Sequence, residues 1–207
     1  MKTNFQAAQE YIKMKRRHNQ ESLCGPGSHK ANTREAIHFI NKVIKEYNIK
    51  NILDLGCGDW NWFNEIDLKD CNYIGWDCDH KMIQDNISRY AADNIYFEVN
   101  DIVTTDYPEV DLIICRDVLF HLEMELACKV LNKIKEKSKC LISTSFNDRM
   151  INDDIKSYCR IKNWGFYQIN LDIAPFNMKQ FRIDEIHEPN QGKTEKRYMC
   201  LYSYENN

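Results

Sequence analysis

From about residue 50 onward, short apolar runs alternate with amphipathic stretches. Five apolar runs predict β-strands, at Asn51–Leu55, Asn72–Trp76, Ile95–Val99, Val110–Cys115 and Lys139–Ser145. Between these runs, apolar residues recur at helical spacing and predict helices at Trp60–Glu65, His80–Tyr90 and Glu123–Lys137. Strands that alternate with helices indicate βαβ units, and therefore an α/β fold whose parallel sheet is covered by helices on both faces.

The two ends of the chain depart from this alternation. Residues 3–17 have apolar positions at helical spacing, and a second helix is predicted from a cap at Thr33 to about Tyr47. The tail predicts two strands, Phe181–His187 and Arg197–Tyr204, joined by a connection that contains glycine. Such a pair suits an antiparallel hairpin at the sheet edge, which gives a Rossmann-like sheet of seven strands, five of them parallel.

Composition limits the classes of protein to which the chain can belong. A chain of 207 residues, with 43% apolar residues and a net charge of −3, suits one domain with a single core. This charge favours neither nucleic acid nor an anionic membrane surface. No apolar run approaches the roughly 20 residues that span a bilayer, and the first residues lack a secretory apolar segment. We therefore expect a cytoplasmic protein. Its nine cysteines, without a C-x-x-C pair, are expected to be reduced thiols and not a zinc site.

The carboxyl end of the first predicted strand carries an acid and two glycines. Asp54 precedes the turn Gly56-Cys57-Gly58, which is typical of a strand that leads into a phosphate or nucleoside pocket. A dinucleotide turn would require a third glycine, and that position holds Asn61. By itself, a Gly-x-Gly turn is weak evidence, because many strand-to-helix turns need the conformational freedom of glycine.

Acids also follow the next two strands. Asp77 lies 21 residues after Gly56, a spacing at which a carboxylate can accept both hydroxyls of a ribose. Asp101 follows the third strand, where a carboxylate can accept from an exocyclic amine while Ile102 covers a base. Each acid alone is equally compatible with a turn cap. Their appearance at successive strand ends, where open parallel sheets bind ligands, favours a nucleoside site.

Four segments together resemble the class I S-adenosylmethionine-dependent methyltransferase family: ILDLGCGDW, YIGWD, VNDI and DLIICRDVLFHL. The resemblance covers about residues 49–146, and the family sheet has seven strands with the last one antiparallel. It implies S-adenosylmethionine as cofactor and S-adenosylhomocysteine as product. Since this cofactor has no pyrophosphate and is a cation, it needs acids near the turn and no third glycine. A nicotinamide site would instead have an apolar residue in place of Asp54.

The resemblance also implies roles for individual residues. Gly56 and Gly58 would let the backbone approach the methionine part, Asp54 would orient it, and Asp77 would hold the ribose. The adenine amine would be bound by Asp101, and the backbone around Arg116 would face the methionine ammonium. The predicted cofactor-binding residues are Asp54, Gly56, Cys57, Gly58, Trp60, Asp77, Cys78, Asp101, Ile102, Cys115 and Arg116.

One pair of residues points to catalytic chemistry, and one aromatic residue could cover a ligand. Asp117 and His121 share a helical face if a helix begins there, and a carboxylate beside an imidazole makes the imidazole a better base. The alternative is a packed histidine that is inert. Trp60 either covers the adenine or the acceptor, or belongs to the aromatic core.

The acceptor side is predicted from the ends of the chain. Residues 1–33 are expected to form a helix and a gate, residues 49–146 the cofactor-binding core, and residues 147–207 the acceptor-side region and terminal strands. His29 in the glycine-rich gate and Trp164 are candidate acceptor-binding residues. Arg16 and Arg17 either clamp a phosphate or carboxylate, or form a solvated helix end.

These residues predict a single-domain methyltransferase, a monomer or homodimer without a metal, that acts on a small-molecule acceptor. The absence of an Asn-Pro-Pro-Tyr-like motif after the fourth strand favours O-methylation. The segments around residues 25–33 and 170–177 are similar to those of small bacterial methyltransferases of sugar and capsule biosynthesis, which suggests a sugar, phosphorylated or nucleotide-linked precursor of surface polysaccharide. The alternatives are an RNA or protein methyltransferase, a non-catalytic S-adenosylmethionine-binding protein, and a nicotinamide-dependent reductase.

Overall fold

The structure, a computed structural model, describes residues 21–152, 167–189 and 196–205. Arg16, Arg17, Trp164 and the helix predicted over residues 3–17 lie outside these ranges. The strands are β1 (Asn51–Leu55), β2 (Asn72–Asp77), β3 (Ile95–Val99), β4 (Val110–Cys115), β5 (Ser138–Ser145), β6 (Arg182–Glu188) and β7 (Arg197–Ser203). The α-helices in the described ranges are α1 (Lys30–Glu46), α2 (His80–Tyr90) and α3 (Met124–Lys137), and none of them is long and apolar enough to cross a membrane.

The strands form one sheet in the order β3-β2-β1-β4-β5-β7-β6. Strands β1 to β5 pair in parallel, and β7 runs antiparallel to both of its neighbours, β5 and β6. The predicted seven-stranded sheet with an antiparallel last strand is therefore confirmed. Because β6 is antiparallel to β7, it has the same direction as β1 to β5. The carboxyl ends of six strands thus meet the start of β7 at one edge of the sheet.

Both faces of the sheet are buried, which explains why its central strands are continuous apolar runs. In β4, Leu112 and Ile114 pack towards α1, while Ile113 and Cys115 pack towards α3. All four of these side chains are fully buried. Burial of one such aliphatic side chain is worth about 1.5–3 kcal/mol, so the core fixes the register of β4 and the position of its carboxyl end.

The helix predicted over Trp60–Glu65 is wrong, and no α-helix begins at Asp117, which was the condition for Asp117 and His121 to share a helical face. Both outcomes have the same physical reason. Trp60 and Asp117 have φ values of 56° and 61°, in the left-handed region, where a right-handed helix cannot continue. The segment after Trp60 forms only a 3₁₀ turn at Phe63–Glu65, and the segment after Asp117 forms another at Leu119–His121. The predicted cap at Thr33 is also wrong. Helix α1 begins at Lys30, and the Thr33 hydroxyl donates to a carbonyl of the preceding turn.

Candidate active site

The glycine turn after β1 is fixed through its own N–H groups. The N–H groups of Gly56 and Cys57 both donate to the carbonyl of Trp76 in β2, at 2.8 and 2.9 Å. The N–H of Gly58 donates to a carboxylate oxygen of Asp77 at 3.1 Å. A phosphate site needs N–H groups that point at the ligand, at the start of a helix. Here the N–H groups donate to acceptors within the protein, and a 3₁₀ turn, not an α-helix, follows. The glycine turn therefore lacks the free N–H donors that a pyrophosphate would need.

Both glycines of the turn are required by close packing within the protein. Gly56 and Gly58 have φ values of 82° and 60°. A Cβ atom on Gly56 would lie 2.4 Å from a methyl carbon of Val118, and one on Gly58 would lie 2.6 Å from the sulfur of Cys24. The N–H of Asp59 also donates to that sulfur, at 3.4 Å. The side chains that approach the turn thus come from the β4 end and from the segment before α1.

Two buried carboxylates face the turn. Asp54 is 5% exposed and accepts a hydrogen bond from the Tyr73 hydroxyl at 2.8 Å. Burial raises the pKa of Asp54 to about 7, the Tyr73 bond opposes the rise and the nearby Asp77 adds to it. Burial also raises the pKa of Asp77, against hydrogen bonds from the N–H groups of Asp79 and Gly58. A bound cation would favour the ionised form of both carboxylates and lower their pKa values, whereas a bound anion would raise these pKa values further.

The loop after β3 holds Asp101 and Ile102. One Asp101 oxygen accepts from the N–H of Val103 at 2.9 Å, which is the turn-capping bond expected of an aspartate. The carbonyl of Ile102 accepts from the Tyr107 hydroxyl at 2.6 Å and from the Lys133 ammonium at 3.2 Å. Neither contact was predicted: Lys133 lies in α3, which only the fold brings next to this loop, and Tyr107 lies in the loop itself.

Trp60 is a core side chain. It is 4% exposed, and its ring lies within 5.0–6.0 Å, centroid to centroid, of the rings of four aromatic residues: Phe63, Tyr73, Tyr90 and Phe97. The second alternative from the sequence, an aromatic core residue, therefore describes its side chain. Two cysteines at strand ends were also predicted to bind the cofactor. Cys115 is fully buried, and Cys78, the residue after Asp77, is half-buried.

A buried ion cluster lies at the carboxyl end of β4. The Arg116 guanidinium contacts carboxylate oxygens of Glu188 at 2.9 Å and of Asp117 at 3.3 Å. Arg197 contacts the same two acids, at 3.1 and 3.0 Å. We call these four residues the ion cluster. Its formal charges sum to zero, and Glu188 is only 1% exposed. Arg116 and Asp117 were predicted from the sequence, whereas Glu188 and Arg197 were not.

Both carboxylate oxygens of Asp117, the residue predicted to act with His121, contact other side chains. One Asp117 oxygen accepts from the Thr144 hydroxyl at 2.9 Å, and the other faces the arginines. Burial would raise the pKa of Asp117, but Arg116 and Arg197 outweigh burial and lower it. Asp117 therefore stays ionised and fixed. His121 lies nearby in the 3₁₀ turn, half-buried, with its ring 4.6 Å from that of Phe120.

Residues 22–28, which we call the cover loop, lie against the glycine turn. The Ser22 hydroxyl and the Leu23 N–H donate to the Asp59 carboxylate at 3.1 and 2.6 Å. The Asn61 amide donates to the Ser28 carbonyl at 3.0 Å. The residue in the third-glycine position thus anchors the cover loop. His29 follows this loop as the N-cap residue of α1.

An open, mostly parallel sheet with acids at three strand ends is typical of nucleoside-binding α/β proteins. The family model described as a methyltransferase domain matches residues 48–199, so the chain belongs to this methyltransferase family. The predicted membership of the class I S-adenosylmethionine-dependent methyltransferases is thereby confirmed. No curated protein matches the chain.

Solved structures of methyltransferases have the same fold. The N-methyltransferase NodS from Bradyrhizobium japonicum WM9, in complex with S-adenosylhomocysteine, has a TM-score of 0.69 at 15% identity over 98% of both chains. The magnesium protoporphyrin IX methyltransferase ChlM from Synechocystis PCC 6803, with bound S-adenosylmethionine, has a TM-score of 0.65 at 14% identity over 98% of both chains. The N-terminal domain of EvdMO1, with S-adenosylhomocysteine and D-fucose, has a TM-score of 0.59 at 9% identity over 85% of this chain and 83% of that one.

The residues at the glycine turn fit the cofactor of this class. S-Adenosylmethionine is a cation without a pyrophosphate. The N–H groups of Gly56, Cys57 and Gly58 all donate within the protein, so none is left for a phosphate. Two buried carboxylates with raised pKa values, Asp54 and Asp77, lie beside the turn. These observations favour a cationic nucleoside over a dinucleotide.

Proposed function

We propose that the chain transfers the methyl group of S-adenosylmethionine to a hydroxyl of a small molecule. The observation that carries the proposal is the glycine turn, whose N–H groups are satisfied internally while buried Asp54 and Asp77 lie beside it. When bound, the cofactor supplies a methyl group on a positively charged sulfur, and its leaving group is neutral. The chain's own task is therefore to orient two ligands and to exclude water.

The cofactor-holding residues follow from the strand ends. The Asp77 carboxylate accepts from the N–H groups of Gly58 and Asp79, and a carboxylate has about four lone-pair sites, so it can also accept ribose hydroxyls. Asp101 would accept from the adenine amine, beside the apolar side chain of Ile102. Asp54 and the backbone at Arg116 would face the methionine part.

The chemistry of the acceptor is inferred from charge. In the ion cluster each guanidinium is matched by a carboxylate, so within the described residues this cluster offers no surplus positive charge for an anionic reacting group. A neutral hydroxyl suits such a site, and an alcohol must lose its proton as the new bond forms. His121 is the proposed base. The D-fucose present with the EvdMO1 domain supports a sugar, and we propose a sugar or nucleotide-linked precursor of surface polysaccharide as the acceptor class.

Substitution of the proposed base gives a direct test. We expect His121→Ala to lower kcat by about 10²- to 10⁴-fold, the usual contribution of a general base, while the Kd for S-adenosylhomocysteine changes little. The assay measures transfer of radiolabelled methyl groups to a panel of sugars and nucleotide sugars. His38→Ala, which removes an exposed histidine of α1, is the matched control. Wild-type transfer to RNA or protein, and not to sugars, would contradict the proposed acceptor; transfer to sugars that His121→Ala leaves unchanged would contradict the proposed base.

The raised pKa of Asp54 predicts a pH dependence of cofactor binding. A cation favours the ionised carboxylate, so binding releases a proton and the affinity for S-adenosylmethionine should rise about tenfold between pH 6 and pH 8. By the same linkage, ionised Asp54 weakens the ligand-free fold, whose stability should fall as pH rises towards about 7. Asp54→Asn should abolish the pH dependence in calorimetric titrations. A wild-type Kd that is constant over this range would show that Asp54 does not face the cation.

A further inference from the structure

The ion cluster joins three parts of the chain that are far apart in sequence. Arg116 and Asp117 follow β4, while Glu188 ends β6 and Arg197 begins β7, where the two residues pair across the hairpin. The third part is the cover loop, because Arg116 donates to the carbonyl of Gly27 at 3.0 Å. The C-terminal hairpin is therefore linked to the cover loop by way of Arg116.

We propose that Glu188 and Arg197 are positioning residues that hold the cover loop closed over the glycine turn. The Arg116 guanidinium is a rigid planar fork, so the acceptor that fixes one side of it also aims the other side. Glu188 accepts from Nε and lies 2.9 Å from Nη2, the nitrogen that donates to Gly27. The Trp62 ring, 5.1 Å from the guanidinium carbon, supports the same orientation.

The backbone of the cover loop packs directly on the ion cluster. A Cβ atom at Gly27 would lie 3.4 Å from a carboxylate oxygen of Asp117 and 3.6 Å from a nitrogen of Arg197. Arg197 contacts Asp117 at 3.0 Å and also contacts Glu188. It therefore completes a closed ring of ion pairs among the four residues of the ion cluster, next to the cover loop. Loss of either hairpin residue would leave the remaining charges unbalanced and free to reorient.

Cys24 reports on closure of the cover loop. Its sulfur lies 2.6 Å from the position that a Cβ atom of Gly58 would take, and 3.9 Å from the sulfur of Met82. Burial, followed by the charges of Asp59 and Asp77, raises the pKa of this thiol well above its ordinary value. Residue 24 as a whole is exposed, so the labelling reports the surroundings of the sulfur and not access to the residue. A closed loop keeps the sulfur packed beside Gly58 and Met82, protonated and slow to alkylate, and an open loop removes these contacts.

The catalytic consequence of this inference rests on the proposed function, but its test does not. If the glycine turn binds the cofactor, the loop held by the hairpin covers that ligand and slows its release. Opening of the loop can be measured on the ligand-free chain, whatever the turn binds.

The test is the rate of iodoacetamide labelling at each cysteine, measured by peptide mass spectrometry. The variants are Glu188→Gln and Arg116→Lys, and the latter keeps the charge but not the fork. We expect labelling of Cys24 to accelerate by about tenfold or more, as for loss of a charged hydrogen bond, while the buried Cys140 stays unlabelled. The matched control is Arg182→Lys, at an arginine that pairs with other acids and should leave Cys24 unchanged.

The two variants separate loop opening from unfolding. If Glu188→Gln also exposes Cys140, the charge-conserving Arg116→Lys decides the question. Unchanged labelling of Cys24 in Arg116→Lys overturns the proposal, and so does equal acceleration of Cys24 and Cys140, which would assign the ion cluster to the stability of the whole domain. If the wild type fails to bind S-adenosylhomocysteine, the proposed function fails while the labelling result still stands.

Discussion

Gly56→Ala is expected to destabilise the protein by about 2–5 kcal/mol, combining left-handed strain with overpacking. The φ value of 82° disfavours any side chain there, and the added Cβ would lie 2.4 Å from a methyl carbon of Val118. Neither cost can be relieved cheaply, because the N–H of Gly56 is tied to the Trp76 carbonyl. Urea denaturation followed by circular dichroism measures the loss, and cofactor affinity should fall with it.

Two further variants separate strain from collision. Gly25 has a φ value of 93° with no atom within 4 Å of an added Cβ, so Gly25→Ala carries backbone strain alone, about 1–3 kcal/mol. Adding Val118→Ala to Gly56→Ala should recover part of the lost stability by removing the methyl carbon that collides. If Gly56→Ala costs no more than Gly25→Ala, the contact between the turn and Val118 does not constrain the site.

Glu188→Gln is expected to cost about 3–5 kcal/mol, the usual penalty for breaking a buried ion pair from one side. Its carboxylate is 1% exposed and compensates both Arg116 and Arg197. With glutamine there, Asp117 is the one carboxylate that the described residues still offer to the two buried guanidinium groups. The free energy of unfolding in urea is again the measurement, in low salt and at neutral pH.

An exposed glutamate provides the comparison for Glu188. Glu65 forms an ion pair with Lys30 at 2.7 Å, with both side chains well exposed to solvent. Because water and salt screen such a pair, Glu65→Gln should change stability by no more than about 1 kcal/mol. A similarly small loss for Glu188→Gln would mean that water reaches the ion cluster, and its role in holding the cover loop would lose its physical basis.

The sheet could be predicted from the sequence because its strands are buried on both faces. Such strands are unbroken apolar runs, and the bounds predicted for β1, β3 and β4 agree with the structure residue for residue. The segments after Trp60 and Asp117 could not be predicted in this way. Their apolar spacing is helical, but one left-handed residue at the start of each segment overrides the pattern, and that conformation depends on tertiary contacts.

Part of the candidate site could likewise be predicted from the sequence, and part could not. Asp54, Asp77 and Asp101 were found because each lies at or next to the carboxyl end of its own strand, so their shared edge follows from parallel topology alone. Glu188 and Arg197 carry no such signal, since charged residues in a hairpin usually face solvent. They become adjacent to Arg116 only because β7 lies between β5 and β6 and their paired ends reach the carboxyl edge.

A calorimetric titration of the purified chain with S-adenosylhomocysteine, beside one with NADH, tests the central claim most directly. The arrangement of the glycine turn and its acids predicts saturable one-to-one binding of S-adenosylhomocysteine, with a Kd of about 1–100 μM or tighter, and no heat with NADH. Binding of NADH without binding of S-adenosylhomocysteine would contradict the assignment of this turn to a cationic nucleoside.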